Sequence, residues 1–211
     1  MVTNKQSPLP GSIFILSAPS GAGKSTLVKR LLAAYPELHF SVSYTTRPAR
    51  QGEVNGREYY FVSATRFKRM VATKKFVEWA SVHGHYYGTT VEEVSCARAR
   101  GEDLLLDIDV EGHRQVRRRI RNAVSIFILP PSFAVLEHRL RQRGSDSEAG
   151  IERRLTGARQ ELMHWDEYDY LIVNNQLARA TRDLLAVVRA AKCRREVQSR
   201  VVRSVIKTFG G

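Results

Sequence analysis

Cysteine and long apolar runs are scarce in this sequence of 211 residues. Its two cysteines, Cys96 and Cys193, cannot build a disulfide framework, and their spacing matches no metal-binding motif. The longest apolar runs, at 13–16 and 126–129, fall far short of the roughly 20 residues that span a bilayer. The N-terminal segment also lacks the apolar stretch of a secretory signal. We therefore expect a reduced, cytoplasmic protein with no membrane partner.

Acidic residues are also in the minority. The chain has 34 Lys and Arg against 21 Asp and Glu, and the net charge of +13 is spread over its whole length. Such an excess favours anionic partners: nucleic acids, anionic membranes or phosphorylated small molecules. Five arginines crowd one segment without an acid among them: Arg114, Arg117, Arg118, Arg119 and Arg121. Because neither interleaved aromatic residues nor an RNA-binding motif accompanies them, a solvated face is favoured over a nucleic acid patch.

The alternation of strand and helix patterns indicates the fold class. Short apolar segments are typical of buried parallel strands at 12–17, 104–108, 124–129 and 170–173, and helical patterns separate them. Residues 40–89 instead alternate aromatic strands with glycine turns, which predicts a small antiparallel sheet.

The second half of the chain has two further helical regions. Residues 132–164 are helical and charged, with breaks at Gly144 and Gly150. A single long basic helix is predicted over about 177–208. The whole pattern predicts an α/β fold, a parallel sheet flanked by helices, with one β-rich insertion and one helical insertion.

The strongest single motif is a glycine-rich turn between a predicted strand and a predicted helix. It reads Ala18, Pro19, Ser20, Gly21, Ala22, Gly23, Lys24 and Ser25. In such a loop the backbone N–H groups face phosphates, the lysine reaches the terminal phosphates, and the hydroxyl binds Mg²⁺. Ala18 departs from the glycine of the strict pattern. The motif predicts a nucleoside triphosphate site that uses Mg²⁺ but does not identify the acceptor.

Further polar motifs follow the loop. Ser43, Arg47 and Arg50 fall in a Ser-x-x-x-Arg-x-x-Arg-x-Gly-Glu segment, whose two arginines could clamp a phosphate. A Tyr-Tyr-Gly-Thr segment at 86–89 and an Asp-Ile-Asp segment at 107–109 come later. Together with the phosphate loop, these motifs make the chain resemble the guanylate kinases from about residue 13 to the last helix.

The resemblance implies a P-loop nucleoside monophosphate kinase fold and the reaction of ATP with GMP, and of dGMP by extension, to ADP and the diphosphate. The implied organisation is a flexible tail at 1–11, a P-loop core at 12–40, 98–131 and 168–211, a GMP-binding insert at 41–97 and a lid at 132–167. The implied contacts to the GMP phosphate are Ser43, Arg47, Arg50, Tyr59 and Tyr87. The implied contacts to guanine are Glu78, Thr89 and Asp109.

The chemistry of guanine agrees with these contacts. Guanine presents N1–H and N2–H₂ donors beside the O6 acceptor. The carboxylate of Glu78 can accept from both donors, and the hydroxyl of Thr89 can donate to O6. Adenine presents a lone pair at N1, and a buried polar mismatch of this kind can reject a substrate by roughly 10⁴-fold.

The resemblance also implies cations in the lid. Arg139 and Arg143 are four residues apart and share a helix face, and Arg154 lies beyond the glycine break. All three are implied to reach the ATP phosphates when the lid closes, where they act with Lys24 and Arg47.

Three residues near strand ends complete the predicted site. Asp107 has the position of a carboxylate that orders Mg²⁺ through water, although a helix N-cap is an alternative left open. Asn174 is a candidate adenine contact by resemblance. Asn175 replaces the aspartate that usually follows in the family, which leaves donor selectivity open.

Two other functions compete with the kinase. A guanylate-kinase-like interaction module keeps the fold without catalysis, but it has no need of Lys24, Ser25, Arg47 and Arg50 together. A monophosphate kinase with another base is disfavoured by Glu78 and Thr89. The sequence does not determine the oligomeric state.

Overall fold

The computed structural model describes residues 11–82, 84–142 and 147–209. The strands are β1 (Ile13–Ser17), β2 (Leu38–Phe40), β3 (Tyr44–Thr45), β4 (Tyr60–Phe61), β5 (Phe76–Val82), β6 (His85–Thr90), β7 (Asp103–Asp107), β8 (Val124–Leu129) and β9 (Tyr170–Val173). The helices are α1 (Lys24–Ala34), α2 (Ala64–Ala72), α3 (Val91–Arg100), α4 (Val110–Arg119), α5 (Phe133–Gln142), α6 (Glu148–Leu162), α7 (Leu177–Lys192) and α8 (Arg195–Lys207). The predicted tail at 1–10 lies outside the described residues.

A five-stranded parallel sheet in the order β2-β7-β1-β8-β9 forms the core, which confirms the predicted fold class. Helices cover both faces, so the central strands are buried throughout. Leu31 of α1 and Leu184 of α7 pack on one face. Val94 of α3 and Val116 of α4 pack on the other. Because all the strands run in one direction, their C-terminal ends meet at one edge, where ligands bind in open α/β sheets.

A second sheet has the order β4-β3-β6-β5. The β5–β6 and β3–β6 pairs are antiparallel as predicted, but β3 and β4 run parallel. The prediction of a wholly antiparallel sheet is therefore wrong at this pair. The long connection 46–59 carries the chain back to the start of β3, so that β4 enters in the same direction. Phe67 of α2 is fully buried under this sheet and stacks on Phe76 at 4.5 Å.

The predicted helix over 177–208 is two helices, α7 and α8, and the prediction of one continuous helix is wrong. Lys192, the last residue of α7, forms an ion pair at 2.7 Å with the buried Asp103. Its carbonyl accepts a hydrogen bond from the Gln198 side chain at 2.7 Å. The chain turns at Arg194, whose extended conformation begins α8. Helical periodicity continues across the turn, so the pattern alone cannot detect it.

Helices α5 and α6 form their own small apolar cluster. It contains Leu136, Leu140, Ile151, Leu155 and Ala158, all buried. This cluster is separate from the two clusters that cover the sheet. Across the described residues, no helix combines the length and the apolar content needed to cross a bilayer.

Candidate active site

The glycine-rich loop lies between β1 and α1, as its motif predicts. Gly21 and Gly23 have φ values of +91° and +92°, in the left-handed region that favours glycine. The backbone N–H of Ala22 donates to the carbonyl of Pro19 at 3.0 Å and tightens the turn. Gly23 is the N-cap of α1 and has no side chain to cover the first helical N–H groups. These groups and the positive end of the helix therefore face the cleft, where an anion can bind.

Lys24 forms an ion pair with Asp107 at the C-terminal end of β7. The parallel register pairs Leu16 with Asp107, so the carboxylate stands next to the loop that follows β1. Asp107 is not the helix cap that the sequence left open as an alternative. Asp109 caps α4 instead, because its Oδ1 accepts the N–H of Gly112 at 2.8 Å.

The part of the cleft that is predicted to contact the base, named here the base side, is built on the β5–β6 hairpin. Glu78 is 3% exposed, and its Oε1 accepts the backbone N–H of Thr89 at 2.7 Å. The hydroxyls of Thr89 and Ser43 lie 3.1 Å apart. The pKa of Glu78 is raised to about 7, mainly by burial and in lesser part by the nearby Asp109 carboxylate, while the hydrogen bonds from Thr89 lower it. The result is an enclosed carboxylate and hydroxyl pair, as the donors and acceptor of guanine require.

The phosphate side of the cleft is built around Arg47. Its guanidinium lies 5.5 Å from the centre of the Tyr59 ring, and Tyr59 meets Tyr87 edge to face at 5.9 Å. A hydrogen bond from Arg47 to the carboxylate of Glu53 raises the pKa of the arginine. Burial is the main cause that raises the pKa of Tyr59 to about 12. Both groups therefore keep their protons at neutral pH, and Arg50 lies nearby on the exposed rim.

One cleft is lined by the loop, the base side and the phosphate side. Its lining includes Lys24, Arg47, Glu78, Asp107 and Asp109. These residues come from four separate segments of the sequence, and the fold brings them together.

Comparisons with known proteins agree with this arrangement. The family model for guanylate kinase matches residues 11–191. A guanylate kinase from Geobacter sulfurreducens is 48% identical over 199 residues, 94% of this chain and 97% of its own length. One from Aromatoleum aromaticum is 52% identical over 186 residues, 88% of this chain and 91% of its own. The crystal structure of guanylate kinase from Anaplasma phagocytophilum superposes with a TM-score of 0.73, at 34% identity and 90% coverage of each chain.

This chain belongs to the guanylate kinase family. The match spans the phosphate loop and both sides of the cleft. Guanylate kinases are phosphotransferases, which agrees with the predicted enzyme class and disfavours the interaction module.

The predicted lid residues of this guanylate kinase family member divide into three groups. Arg139 donates to the carbonyl of Asn174 at 3.1 Å and approaches the carbonyl of Ala22 at 3.4 Å, so it already contacts the phosphate loop. Arg154 lies on α6 and is partly buried. Arg143 lies outside the described residues.

Asn174 has a role that the resemblance did not predict. It is 5% exposed, and its amide donates to the carbonyl of Ala22 at 2.8 Å. A side chain at Gly23 would place its Cβ 2.4 Å from the same amide. Asn174 therefore stabilises the phosphate loop through this hydrogen bond. The neighbouring Asn175 is exposed.

Sequence reasoning missed two residues that line the cleft, Glu53 and Glu161, and one that lies behind it, Gly112. Glu161 of α6 lines it, and burial raises the pKa of this carboxyl to about 7 despite Lys24 and the Ser20 backbone. Gly112 lies against Glu78. Glu53 holds Arg47. Only Glu53 had a signal, since it ends a recognised motif; the other two sit in unremarkable helical segments.

The arginine-rich segment is a solvated face only in part. Arg114 donates to Glu167 at 2.7 Å, and Arg117 donates to Asp169 at 3.1 Å. Arg119 donates to the carbonyl of Phe76. The prediction of a solvated face is wrong for Arg114 and Arg117, which are half-buried and paired with acids from segments distant along the chain. Arg118, Arg119 and Arg121 are exposed, as predicted.

Proposed function

We propose that this chain transfers the γ-phosphoryl group of ATP to GMP, giving ADP and GDP in purine nucleotide metabolism. The observation that carries the proposal is that the phosphate-loop lysine, Lys24, and the buried carboxylate, Glu78, line the same cleft. In the proposed complex, ATP and GMP bind in this cleft with their phosphate groups facing each other.

The donor side of the proposal rests on the loop. ATP phosphates lie along the backbone of 18–25, with Lys24 at the terminal phosphates. Asn174, which contacts this loop, remains the candidate on the adenine side. Ser25 and Asp107 are the residues that would hold Mg²⁺.

The donor set fits Mg²⁺. This ion is held in proteins by one or two carboxylates together with substrate phosphates. Asp107 supplies a carboxylate beside the loop, and the described residues contain no cluster of three acidic, histidine or cysteine side chains that could hold a metal without substrate. The bound ion would supply charge neutralisation between the phosphates.

The acceptor side of the proposal rests on the second sheet. The groups assigned to the GMP phosphate are Ser43, Arg47, Arg50, Tyr59 and Tyr87. The groups assigned to guanine are Glu78, Thr89 and Asp109. The two sets are adjacent, because the Ser43 hydroxyl of the first set lies 3.1 Å from the Thr89 hydroxyl of the second.

The chemistry needs no general base. A phosphate monoester has its second pKa near 6, so the acceptor is mostly a dianion at neutral pH and already a nucleophile. Catalysis then consists of positioning and charge neutralisation. Arg47 and Arg50 hold the attacking phosphate, while Lys24, Arg139 and Arg154 neutralise charge on the transferred group. Arg143 is assigned the same role from its motif.

We assign the GMP-binding insert to 41–97 and the lid to 132–167, around a core of 12–40, 98–131 and 168–211. Closure of the lid would exclude water, which otherwise accepts the phosphoryl group. We further propose a cytoplasmic enzyme that also accepts dGMP, because none of the assigned contacts involves the ribose 2′-hydroxyl.

The test is ADP formation by purified protein with Mg-ATP and each of GMP, dGMP, AMP, UMP and dTMP. Turnover confined to GMP and dGMP supports the proposal. Turnover with another base would keep the kinase and overturn the guanine assignment. No turnover by protein whose circular dichroism shows it to be folded would favour the interaction module.

A further inference from the structure

We infer that Glu53 is a positioning residue that holds Arg47 in the orientation needed for the acceptor phosphate. The inference rests on the proposed function, because it assigns the acceptor phosphate to Arg47. Glu53 itself touches neither the base side nor the phosphate loop in the contacts described above.

The Glu53 carboxylate grips Arg47 with both oxygens. One terminal nitrogen of Arg47 donates to Oε2 at 2.9 Å, and the other donates to Oε1 at 2.9 Å. This two-pronged geometry fixes the plane of the guanidinium as well as its position. The two side chains are 11% and 18% exposed, so solvent screens the pair less than a surface ion pair.

Glu53 also fixes the backbone that carries Arg50. Its Oε2 accepts the Arg50 backbone N–H at 2.7 Å, and its own N–H donates to the Arg50 carbonyl at 3.1 Å. Gly52 has φ +85°, which allows the turn that brings the carboxylate back onto Arg47. One carboxylate therefore organises both arginine positions of the motif.

The other neighbours of Arg47 further restrict the orientation of its guanidinium group. The rings of Tyr59 and Phe61 lie 5.5 Å and 5.8 Å from the guanidinium carbon. The Pro48 carbonyl accepts a further hydrogen bond at 2.7 Å. The Tyr87 hydroxyl is a further hydrogen-bond partner of Arg47 and helps to raise the pKa of the arginine. Tyr87 is itself assigned to the phosphate, so Arg47 and the assigned phosphate position share this neighbour.

A carboxylate beside a phosphate site has two opposing effects. It repels the dianionic phosphate, which weakens GMP binding, and it orders the arginine, which strengthens binding. If Glu53 only balanced charge, its neutralisation would lower the KM for GMP. If it positions Arg47, neutralisation raises that KM, because the guanidinium loses its fixed plane and the amide nitrogen of glutamine would face a guanidinium donor.

The experiment compares Glu53→Gln, Glu53→Asp and a matched control, Glu58→Gln. Glu58 lies in the same connection, is paired with the exposed Arg57, and accepts a backbone N–H from Val54, so its replacement makes the same chemical change away from Arg47. For each protein we would measure kcat, KM for GMP and for ATP, and the equilibrium Kd for GMP by calorimetry. IMP, which lacks the 2-amino group, serves as a second acceptor.

We expect Glu53→Gln to raise KM and Kd for GMP by about 10- to 100-fold, the range for losing hydrogen bonds to a charged group. KM for ATP should change less than about twofold, and the ratio of GMP to IMP activity should stay constant because the base side is untouched. Glu53→Asp keeps the charge but is shorter, so it should recover part of the loss. Glu58→Gln should behave as the wild type.

A lower KM for GMP in Glu53→Gln would overturn the inference in favour of charge balance. An equal rise in KM for ATP, or an equal loss in Glu58→Gln, would overturn it in favour of general disruption of the insert. Wild-type protein that binds GMP without turnover would contradict the proposed function, yet the Kd comparison would still decide the role of Glu53. Wild-type protein that does not bind GMP would overturn both.

Discussion

The carboxylate of Glu78 accepts the backbone N–H of Thr89 at 2.7 Å across the β5–β6 hairpin, inside a site that is almost closed to solvent. The hairpin register pairs the same two residues. One carboxylate oxygen is thus held by the sheet. The other oxygen, Oε2, lies on the side of Gly112 and Asp109. The carboxylate to which we assign base selection is therefore held in place by the backbone of its neighbouring strand.

Replacing Glu78 with glutamine should remove guanine selectivity. The amide oxygen can still accept from Thr89, but the amide nitrogen then presents donors to the donors of guanine. We expect kcat/KM for GMP to fall by about 10²-fold or more, since a mismatched buried polar pair is costly. Steady-state kinetics with GMP and AMP measure the effect. Glu111→Gln, an exposed carboxylate on α4, is the control, and an unchanged GMP to AMP ratio in Glu78→Gln would contradict the assignment.

The pH dependence of stability should report on Glu78. Its pKa is about 7 in the folded protein against an ordinary 4.5, so the folded state holds a proton between these values that the unfolded chain has released. The free energy of unfolding should therefore fall as the pH rises from 4.5 to 7, by about 2–3 kcal/mol. Urea unfolding at several pH values measures this slope.

Glu78→Gln should flatten that slope only in part. Glu161 also has its pKa raised to about 7 by burial, so it contributes a loss in the same direction over the same range. The variant that removes both, Glu78→Gln with Glu161→Gln, should flatten the slope further. A slope that neither substitution changes would show that these carboxyls ionise at their ordinary pH.

Gly112→Ala should impair GMP binding selectively. An added Cβ would lie 2.7 Å from Oε2 of Glu78 and 3.2 Å from Oδ1 of Asp109, so the carboxylate must move from its position. We expect KM for GMP to rise by about 10-fold and KM for ATP to stay within twofold, since overpacking a tight site costs about 1–3 kcal/mol. Gly157→Ala on α6 is the matched control, because nothing lies within 4 Å of its added Cβ. Equal effects of the two substitutions would refute the prediction.

Asn174→Ala should loosen the phosphate loop. It removes the hydrogen bond to the Ala22 carbonyl and leaves that acceptor without its amide partner. We expect the free energy of unfolding to fall by about 1–3 kcal/mol and KM for ATP to rise. Thermal unfolding and kinetics at varied ATP check this result. Asn175→Ala, at an exposed position, should leave the unfolding temperature unchanged. An equal fall of the unfolding temperature in both variants would contradict the stabilising role of the Asn174 side chain.

Local signals predicted the elements well. The Ser63 hydroxyl caps α2 by accepting the Arg66 backbone N–H at 3.2 Å. The Thr90 hydroxyl caps α3 by accepting the Glu93 backbone N–H. Both caps follow from a hydroxyl placed just before an apolar helical pattern. The C-terminal helix failed as a prediction because its interruption at Arg194 is set by what α7 contacts and not by a change of residue type.

The second sheet shows where strand patterns are insufficient. Aromatic and glycine spacing predicted an antiparallel sheet, which the β5–β6 pair confirms, but it carried no information on the direction of β4. Direction depends on the path of the connection 46–59, which contains no regular element to reveal it. The parallel pairing of Tyr44 with Tyr60 could be seen only in three dimensions.

The phosphate loop, the arginine motif and the alternation that specifies a parallel sheet could be predicted from the sequence alone. These are signals of composition and short spacing, because loop conformation, helix caps and strand burial depend on nearby residues. The tertiary structure was needed to show that Asn174 donates to Ala22, that Gly112 confines Glu78, and that Arg114 and Arg117 have acidic partners. Such contacts join residues from 34 to 152 positions apart, and strand order and register, which carry no local signal, determine which of these distant residues meet.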